Sequence, residues 1–182
     1  KDFCKEKKIP CLGISDTSNL CGALEFAENI SKVGTQPIIG TQIYFKFEDT
    51  TGLLPLIALN ENGYKKIIEL SSRSYLENDA LSDRYLDIKE LLIDMEGVSL
   101  LSGTIQGLFG KLFEKGRLDE ISKLYKSLSS KFNDNFYLEI QRHGDQNEIA
   151  FEKFNLEKSL KIKIPIIATN EDGTSFVKRG RK

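Results

Sequence analysis

The sequence predicts an α/β fold built on a parallel sheet, either closed as a barrel or open and doubly wound. Three observations predict it. Apolar runs of strand length alternate with amphipathic helical patterns along nearly all of the 182 residues, and the links between them are short. Most of the apolar runs are continuous, as expected for strands that are buried on both faces. A chain of this length is one ordinary domain with a sizeable core.

Six segments are predicted as strands, and helical patterns lie between most of them. The strands are residues 10–15, 37–45, 53–59, 98–103, 136–141 and 164–169, and the helical patterns are 20–34, 60–78, 104–116, 118–132 and 146–161. Gly34 and Gly116 are the last residues of two of these patterns, just past the expected helix ends, where a left-handed cap favours glycine. The first residues resemble the back half of a helix. Six strands are too few for a complete eight-stranded barrel, but both ends of the chain look truncated, so the pattern is compatible with either a closed or an open sheet.

Composition excludes several classes of function. The net charge is −1 with 29% charged residues, so no global field favours nucleic acid or an anionic membrane. No apolar run approaches the roughly 20 residues of a membrane span, and no signal peptide opens the chain. The three cysteines, Cys4, Cys11 and Cys21, have no C-x-x-C spacing. They predict neither a disulfide framework nor a zinc site, and the cytoplasm is the expected compartment.

Residues 172–182 are polar and end in the basic letters KRGRK. We predict a disordered or non-native tail there. A nucleic-acid arm that binds duplex DNA directly is the less favoured interpretation, because so short a charge cluster carries little information.

The candidate functional residues follow the strands, because chemistry in parallel α/β folds gathers where strands lead into helices. These positions are Asp16-Thr17, Thr41-Gln42, Asn60-Glu61, Ser102-Gly103-Thr104, Gln141-Arg142-His143 and Asn170-Glu171. A hydrolytic metal site needs several histidines and carboxylates that converge. The strand ends supply carboxylates only at Asp16, Glu61 and Glu171, together with the single histidine of the chain. Glu139 lies deeper and could face the interior. The set is a poor metal site.

Simpler roles compete with metal binding at each position. Asp16 could cap the following helix, as Ser18 or Asn19 also could, and capping is favoured over ligation. His143 precedes a glycine turn, which is typical of a solvated loop histidine rather than a ligand. Ser102 has no histidine at a readable offset, so the sequence gives little support for a nucleophile–base pair.

Several segments together resemble a known family. They are SDTSNLCGALEF, GTQPIIGTQI, LIALNENGYKKIIELSSRSY, LLSG, NFYLEIQRHG and IPIIATNE. In this order and spacing they resemble the PHP (polymerase and histidinol phosphatase) domain of bacterial replicative DNA polymerase III alpha subunits, over residues 3–171. The resemblance implies a distorted (β/α)7 TIM-like barrel, here incomplete at both ends, at the amino-terminal end of a very large polymerase. Residues 1–171 would form this domain without its first strand.

Metal-binding members of this family carry a cluster of ligands at the strand ends, and the sequence departs from it. The resemblance places His where Thr17 stands, Glu at Gln42, His near Leu53 and Cys at Thr104. Asp16 and Glu171 keep carboxylates, but Gly173 stands where a further His is expected. Neutral side chains are poor replacements for these ligands. We therefore expect neither bound metal nor catalytic residues at the degenerate positions Asp16, Thr17, Gln42, Leu53, Thr104 and Glu171.

The resemblance implies a scaffold that needs no cofactor. Such a domain stabilises the other regions of the polymerase alpha subunit and docks a separate proofreading exonuclease, while DNA is bound through the parent enzyme. The Mg²⁺ used in polymerisation belongs to a palm region outside this sequence. The alternative is a metal-dependent phosphoesterase, histidinol-phosphatase-like or a 3′–5′ exonuclease. It would need His143, Asp16, Glu139 and Glu171 to converge with upstream ligands.

Overall fold

The computed structural model describes residues 2–78, 84–144 and 146–169, and strands and helices alternate through most of this range. The strands are β1 Cys11–Thr17, β2 Gln36–Phe47, β3 Thr50–Ala58, β4 Leu86–Asp87, β5 Val98–Leu101, β6 Phe136–Ile140 and β7 Ile166–Ala168. The α-helices are α1 Asp2–Lys7, α2 Ala23–Ser31, α3 Glu61–Leu76, α4 Leu108–Glu114, α5 Leu118–Phe132 and α6 Gln146–Ile162. Short 3₁₀ helices span Ile88–Leu92 and Asn133–Asn135. All six predicted strands are present, and only the two-residue β4 was not predicted.

The strands form one curled, open sheet, as expected for an incomplete TIM-like barrel. Its order is β1-β2-β3-β5-β6-β7, with β4 paired to β2. β1 and β2 are parallel, and so are β5, β6 and β7. The predicted parallel sheet is wrong at β3, which runs antiparallel to both of its neighbours. The reason is the length of the link, because residues 48–49 make a tight turn and a parallel crossover needs a dozen or more residues.

The helices cover one face of this sheet, and the main core lies between the helices and the sheet. β2 and β3 place alternate residues in the core, fully buried: Ile43, Phe45, Leu54 and Leu56. The intervening residues of the same two strands lie on the opposite face. The interior of the curled sheet is therefore lined by a set of residues different from the core, and these residues form the candidate site.

Tyr125 joins four elements in the middle of the core. Its ring, on α5, packs 4.8 Å from the Phe109 ring of α4 and 5.7 Å from the Phe136 ring of β6, measured between centroids. Its hydroxyl donates a 3.0 Å hydrogen bond to Asn155 Oδ1 on α6. Complete burial raises the pKa of Tyr125 well above its ordinary value, so the hydroxyl keeps its proton and remains a donor.

The start of α3 lies directly against another backbone segment. Asn60 caps the helix, and its Oδ1 accepts a 2.9 Å hydrogen bond from the amide of Gly63. A Cβ atom on Gly63 would lie 1.7 Å from the carbonyl oxygen of Gly97. The letters NENGY therefore encode a cap and a close approach between two backbones, because only glycine leaves the space that this packing requires.

Charged residues hold the turn between β2 and β3 against the link from α4 to α5. Lys115 Nζ lies 3.0 Å from Asp49 Oδ2, and an Arg117 guanidinium nitrogen lies 2.8 Å from Asp49 Oδ1. Arg117 also pairs with Glu48 and Glu120. One arginine thus links both turn carboxylates to the first turn of α5.

This network predicts a dependence of stability on pH. The hydrogen bond from Lys115 holds the pKa of the Asp49 carboxyl below its ordinary value of 3.8. A carboxyl whose pKa is lowered by folding stabilises the fold above its ordinary pKa, and that stability is lost as the pH falls through the folded pKa. We expect the urea midpoint of Asp49→Asn to fall less than that of the parent protein between about pH 5 and pH 3. Equal falls in the two proteins would contradict this assignment.

Within the described ranges, none of the helices combines the length and the apolar character needed to cross a membrane.

Candidate functional site

The reversed strand divides the predicted strand-end positions between two edges of the sheet. Asp16, Thr17 and Thr104 follow or end strands that point the same way. Asn60 and Glu61 follow β3, so the prediction that they lie with the others was wrong. Gln42 is not at a strand end either, because β2 continues to Phe47. Gln42 still lies level with the end of β1, since it is the register partner of Thr17.

A cavity of about 540 Å³ opens on the inner face of the sheet, and we call it the mouth cavity. Its lining comes from β2, β3, the loop after β5 and α4: Gln42, Tyr44, Leu53, Pro55, Gly103, Thr104, Ile105, Gln106, Gly107, Lys111 and Glu114. Three of the six predicted degenerate positions, Gln42, Leu53 and Thr104, therefore meet in one place. The hairpin brings the first two together, because residues 42 and 53 lie on adjacent antiparallel strands.

Two charged residues of the mouth cavity were not anticipated from the sequence. Lys111 crosses from α4 and donates a 2.8 Å hydrogen bond from Nζ to the carbonyl of Thr51. Glu114, one turn further on, accepts from Asn147 at 3.3 Å. Tyr44 was also missed, although alternation along β2 places it on the same face as Gln42. The amphipathic pattern of residues 104–116 gave no sign that Lys111 reaches a strand.

The mouth cavity does not fit a metal cluster of the kind that the family implies. Its side-chain donor set is two amides, two hydroxyls and one carboxylate, and an ammonium group lies among them. Hydrolytic metal ions prefer several carboxylates and imidazoles, and a nearby ammonium opposes a cation. In the described part of the chain, no group of three or more His, Cys, Asp or Glu side chains could hold a metal ion. Glu171 lies outside the described residues.

Asp16 is half-buried beside the start of α2 and contacts it as a capping residue would. Its Oδ2 accepts from the backbone amide of Gly22 at 3.4 Å, while its carbonyl accepts a 2.8 Å hydrogen bond from the Thr41 hydroxyl. Asn19 caps nearby, since its Oδ1 accepts from the amide of Cys21 at 2.9 Å. These contacts support the favoured interpretation, in which Asp16 holds the helix start. Thr17 beside it is exposed.

Glu139 is a buried carboxylate, with 5% of its surface exposed, and it joins the ends of three strands. Its Oε1 accepts hydrogen bonds from Gln141 Nε2 at 3.1 Å and from the Thr169 hydroxyl. Its backbone amide donates to Ser102 Oγ at 2.9 Å, which ties β6 to the loop after β5. Ser102 thus has a structural partner, and no histidine contacts its hydroxyl.

His143 lies in the loop before α6 and is paired with one glutamate. Its ring Nδ1 is 3.3 Å from Glu148 Oε1, and the backbone amides of His143 and Gly144 donate to Glu148 Oε2 at 2.8 and 3.1 Å. The side chain is 45% exposed. This arrangement matches the predicted loop histidine. His143 does not converge with Asp16 and Glu139, which the alternative phosphoesterase would require.

Beside α6, Arg142 binds Glu152 at 2.6 Å. The guanidinium holds the pKa of the Glu152 carboxyl below its ordinary value, while the same pairing raises the pKa of Arg142.

Comparisons with known proteins bear on this geometry. The family model described as PHP domain matches residues 2–143. Two relatives are described as DNA polymerase III subunit alpha. The one from Caulobacter vibrioides is 34% identical to this chain, and the one from Vibrio cholerae is 31% identical to it. The matches cover 91% and 90% of this chain, but only 15% and 14% of those relatives. The chain therefore spans about one seventh of the length of the curated relatives that it matches.

A solved structure supports the fold. It is a protein of Bifidobacterium adolescentis assigned as a metal-dependent phosphoesterase, with a TM-score of 0.54 and 11% sequence identity. The match covers 92% of this chain and 78% of that one. At this identity the likeness establishes a common architecture and carries no information about the chemistry of this chain.

Proposed function

The chain belongs to the PHP domain family, and from that premise we propose that it is the PHP domain of a bacterial DNA polymerase III alpha subunit that acts as a metal-free scaffold. The parent protein would carry out DNA-directed DNA synthesis in the cytoplasm. This domain would stabilise the polymerase and dock a separate proofreading exonuclease. Neither role requires a cofactor in the domain itself.

One observation carries the scaffold part of the proposal. The mouth cavity keeps the strand geometry on which a metal site could be built, but neutral side chains occupy that framework at Gln42, Leu53 and Thr104, with Lys111 beside them. A cation placed there would lose its hydration shell without gaining enough charged ligands, so binding would be unfavourable. Glu139, the buried carboxylate nearest to such a role, is hydrogen-bonded to Gln141 and Thr169.

The experiment uses the full-length protein that carries this domain. We expect primer extension that depends on added Mg²⁺, only trace zinc or manganese after purification, and no hydrolysis of an aryl phosphate above that of a heat-inactivated sample. Near-stoichiometric zinc or manganese together with phosphate release would overturn the scaffold proposal. Absence of primer extension in a folded, full-length sample would overturn the assignment to a polymerase.

Asp16→Asn separates activity in this mouth from contamination by another phosphatase. We expect this variant to match the parent protein in metal content and in primer extension, because the Asp16 side chain contacts the start of α2 through an oxygen that asparagine also carries. A phosphatase activity that is present in the parent and lost in Asp16→Asn would instead place catalysis at the strand ends.

A further inference from the structure

The helix α6 carries apolar residues on two opposite faces. Phe151 and Phe154 are buried in the core, with 3% and 9% of their surface exposed. On the opposite side, Ile149 is 73% exposed and Leu160 is 84% exposed. With Lys153 and Leu156 these two residues form a row at spacings i, i+4, i+7 and i+11, and we call this row the α6 stripe.

The direction of the α6 stripe shows what kind of neighbour could cover it. A helix in the outer layer of a barrel contacts the sheet on one side and adjacent helices on its flanks. The α6 stripe faces away from the sheet, so a neighbouring helix of the same layer would leave most of it exposed. Exposed apolar side chains that are grouped on one helix face are typical of an interaction site. A groove of about 530 Å³ includes Ile149, Lys153 and Leu156 of the stripe in its lining, together with the ion-paired Arg142 and Glu152.

Charge distinguishes the α6 stripe from other exposed apolar residues. Lys153 lies within it, and Lys161 and Lys163 lie near its carboxyl end; none of the three has a carboxylate partner among the described residues. The contrast is α3, where Leu76 is 83% exposed but the surrounding charges pair with one another. Lys65 binds Glu61 there at 2.6 Å, and Arg73 binds three glutamates. Glu157 is exposed between Lys153 and Lys161 on the same side of α6, so the three lysines leave this surface with a net positive charge. The charges around Leu76 on α3 instead pair with one another.

We propose that the α6 stripe binds an amphipathic α-helix with acidic flanks, supplied by another region of the same polypeptide. The inference rests on the proposed function. Two observations favour this occupant. The unpaired lysines would be stabilised by carboxylates on the partner. The relatives that match this chain carry about six times more sequence outside the matched part, which could supply the helix. The stripe extends for three helical turns, roughly 16 Å, which is the contact length of a short docked helix.

The test is photo-crosslinking in purified full-length protein. Leu160→p-benzoylphenylalanine is compared with Leu76→p-benzoylphenylalanine, a site of nearly equal exposure on α3. We expect position 160 to give an intramolecular crosslink to a helix that combines apolar and acidic residues, with a yield at least about fivefold above that of position 76. Equal yields from the two positions, or crosslinks only between two copies or only to an added exonuclease subunit, would overturn the proposal.

Charge reversal supplies the second arm. The double variant Lys153→Glu with Lys161→Glu, introduced into the Leu160 crosslinking protein, should lower the crosslink yield by at least about fivefold. Lys123→Glu with Lys126→Glu, two exposed and unpaired lysines of α5, is the matched control and should leave the yield unchanged. Equal losses in both double variants would overturn the role of the acidic flanks. Primer extension by the same samples is recorded separately, so that a failed docking site is distinguished from a failed polymerase assignment.

Discussion

Gly63→Ala is expected to destabilise the domain by at least about 3 kcal/mol, a large part of the stability of an ordinary domain. The added Cβ would lie 1.7 Å from the carbonyl oxygen of Gly97. Both backbones are already fixed, because the Gly63 amide donates to Asn60 and the Gly97 carbonyl accepts from the amide of Leu59 at 2.8 Å. No change of rotamer relieves the clash. The start of α3 must move away from the sheet.

Pulse proteolysis of the full-length protein in urea measures this effect, with Gly116→Ala as the matched control. A Cβ at Gly116 would meet no atom within 4 Å, but the φ of +73° is a left-handed conformation. The expected cost there is only that of left-handed backbone, about 1 kcal/mol. If the two variants unfold at the same urea concentration, the close packing of α3 against Gly97 is not a determinant of stability.

Tyr125→Ala is expected to cost about 4 kcal/mol, because it removes a fully buried ring that packs on two others. The lost contacts connect α4, α5 and β6, and the cavity would lie in the middle of the core. The lost hydroxyl also leaves Asn155 Oδ1 without its donor. A decrease in the urea midpoint of the domain is the readout.

Tyr125→Phe separates the contribution of the ring from that of the hydroxyl. It keeps the ring contacts and removes the hydroxyl with its hydrogen bonds to Asn155 and Ser102, so we expect a cost of about 1.5 kcal/mol. A phenylalanine variant as unstable as the alanine variant would show that the polar contact, rather than ring packing, accounts for the effect. An alanine variant that unfolds like the parent protein would contradict the central position of Tyr125.

The sequence predicted those parts of the fold that depend on local patterns. The continuous apolar runs at β1, β5 and β6 and the 3.6-residue periodicity of α5 predicted these elements. The direction of β3 was missed because direction is not a property of the strand pattern. The length of the link does indicate the direction, since residues 48–49 can form a hairpin turn but are too few for a crossover between parallel strands. β4 is too short to produce a pattern.

The sequence predicted those site residues whose positions depend on strand register. It did not predict the contacts between side chains that are far apart in the sequence. Gln42, Leu53 and Thr104 meet because strands and their following loops place them together, and the family resemblance had selected them. The contacts of Glu139 involve Thr169, 30 residues further along the chain, which no local pattern indicates. Lys111 reaches Thr51 across 60 residues in the same way.

The hairpin of β2 and β3 also constrains how the lining of the mouth cavity can evolve. A loop at a barrel mouth can lengthen or shorten without disturbing the sheet. Two hydrogen-bonded strands cannot change length in this way, because shifting their register by one residue turns the following side chains to the opposite face and exposes the core. Along this wall, new chemistry can be gained or lost only by exchanging one side chain for another of similar size. Glutamine has nearly the shape of glutamate without its charge, so the replacement that the family resemblance implies at position 42 would be an exchange of that kind.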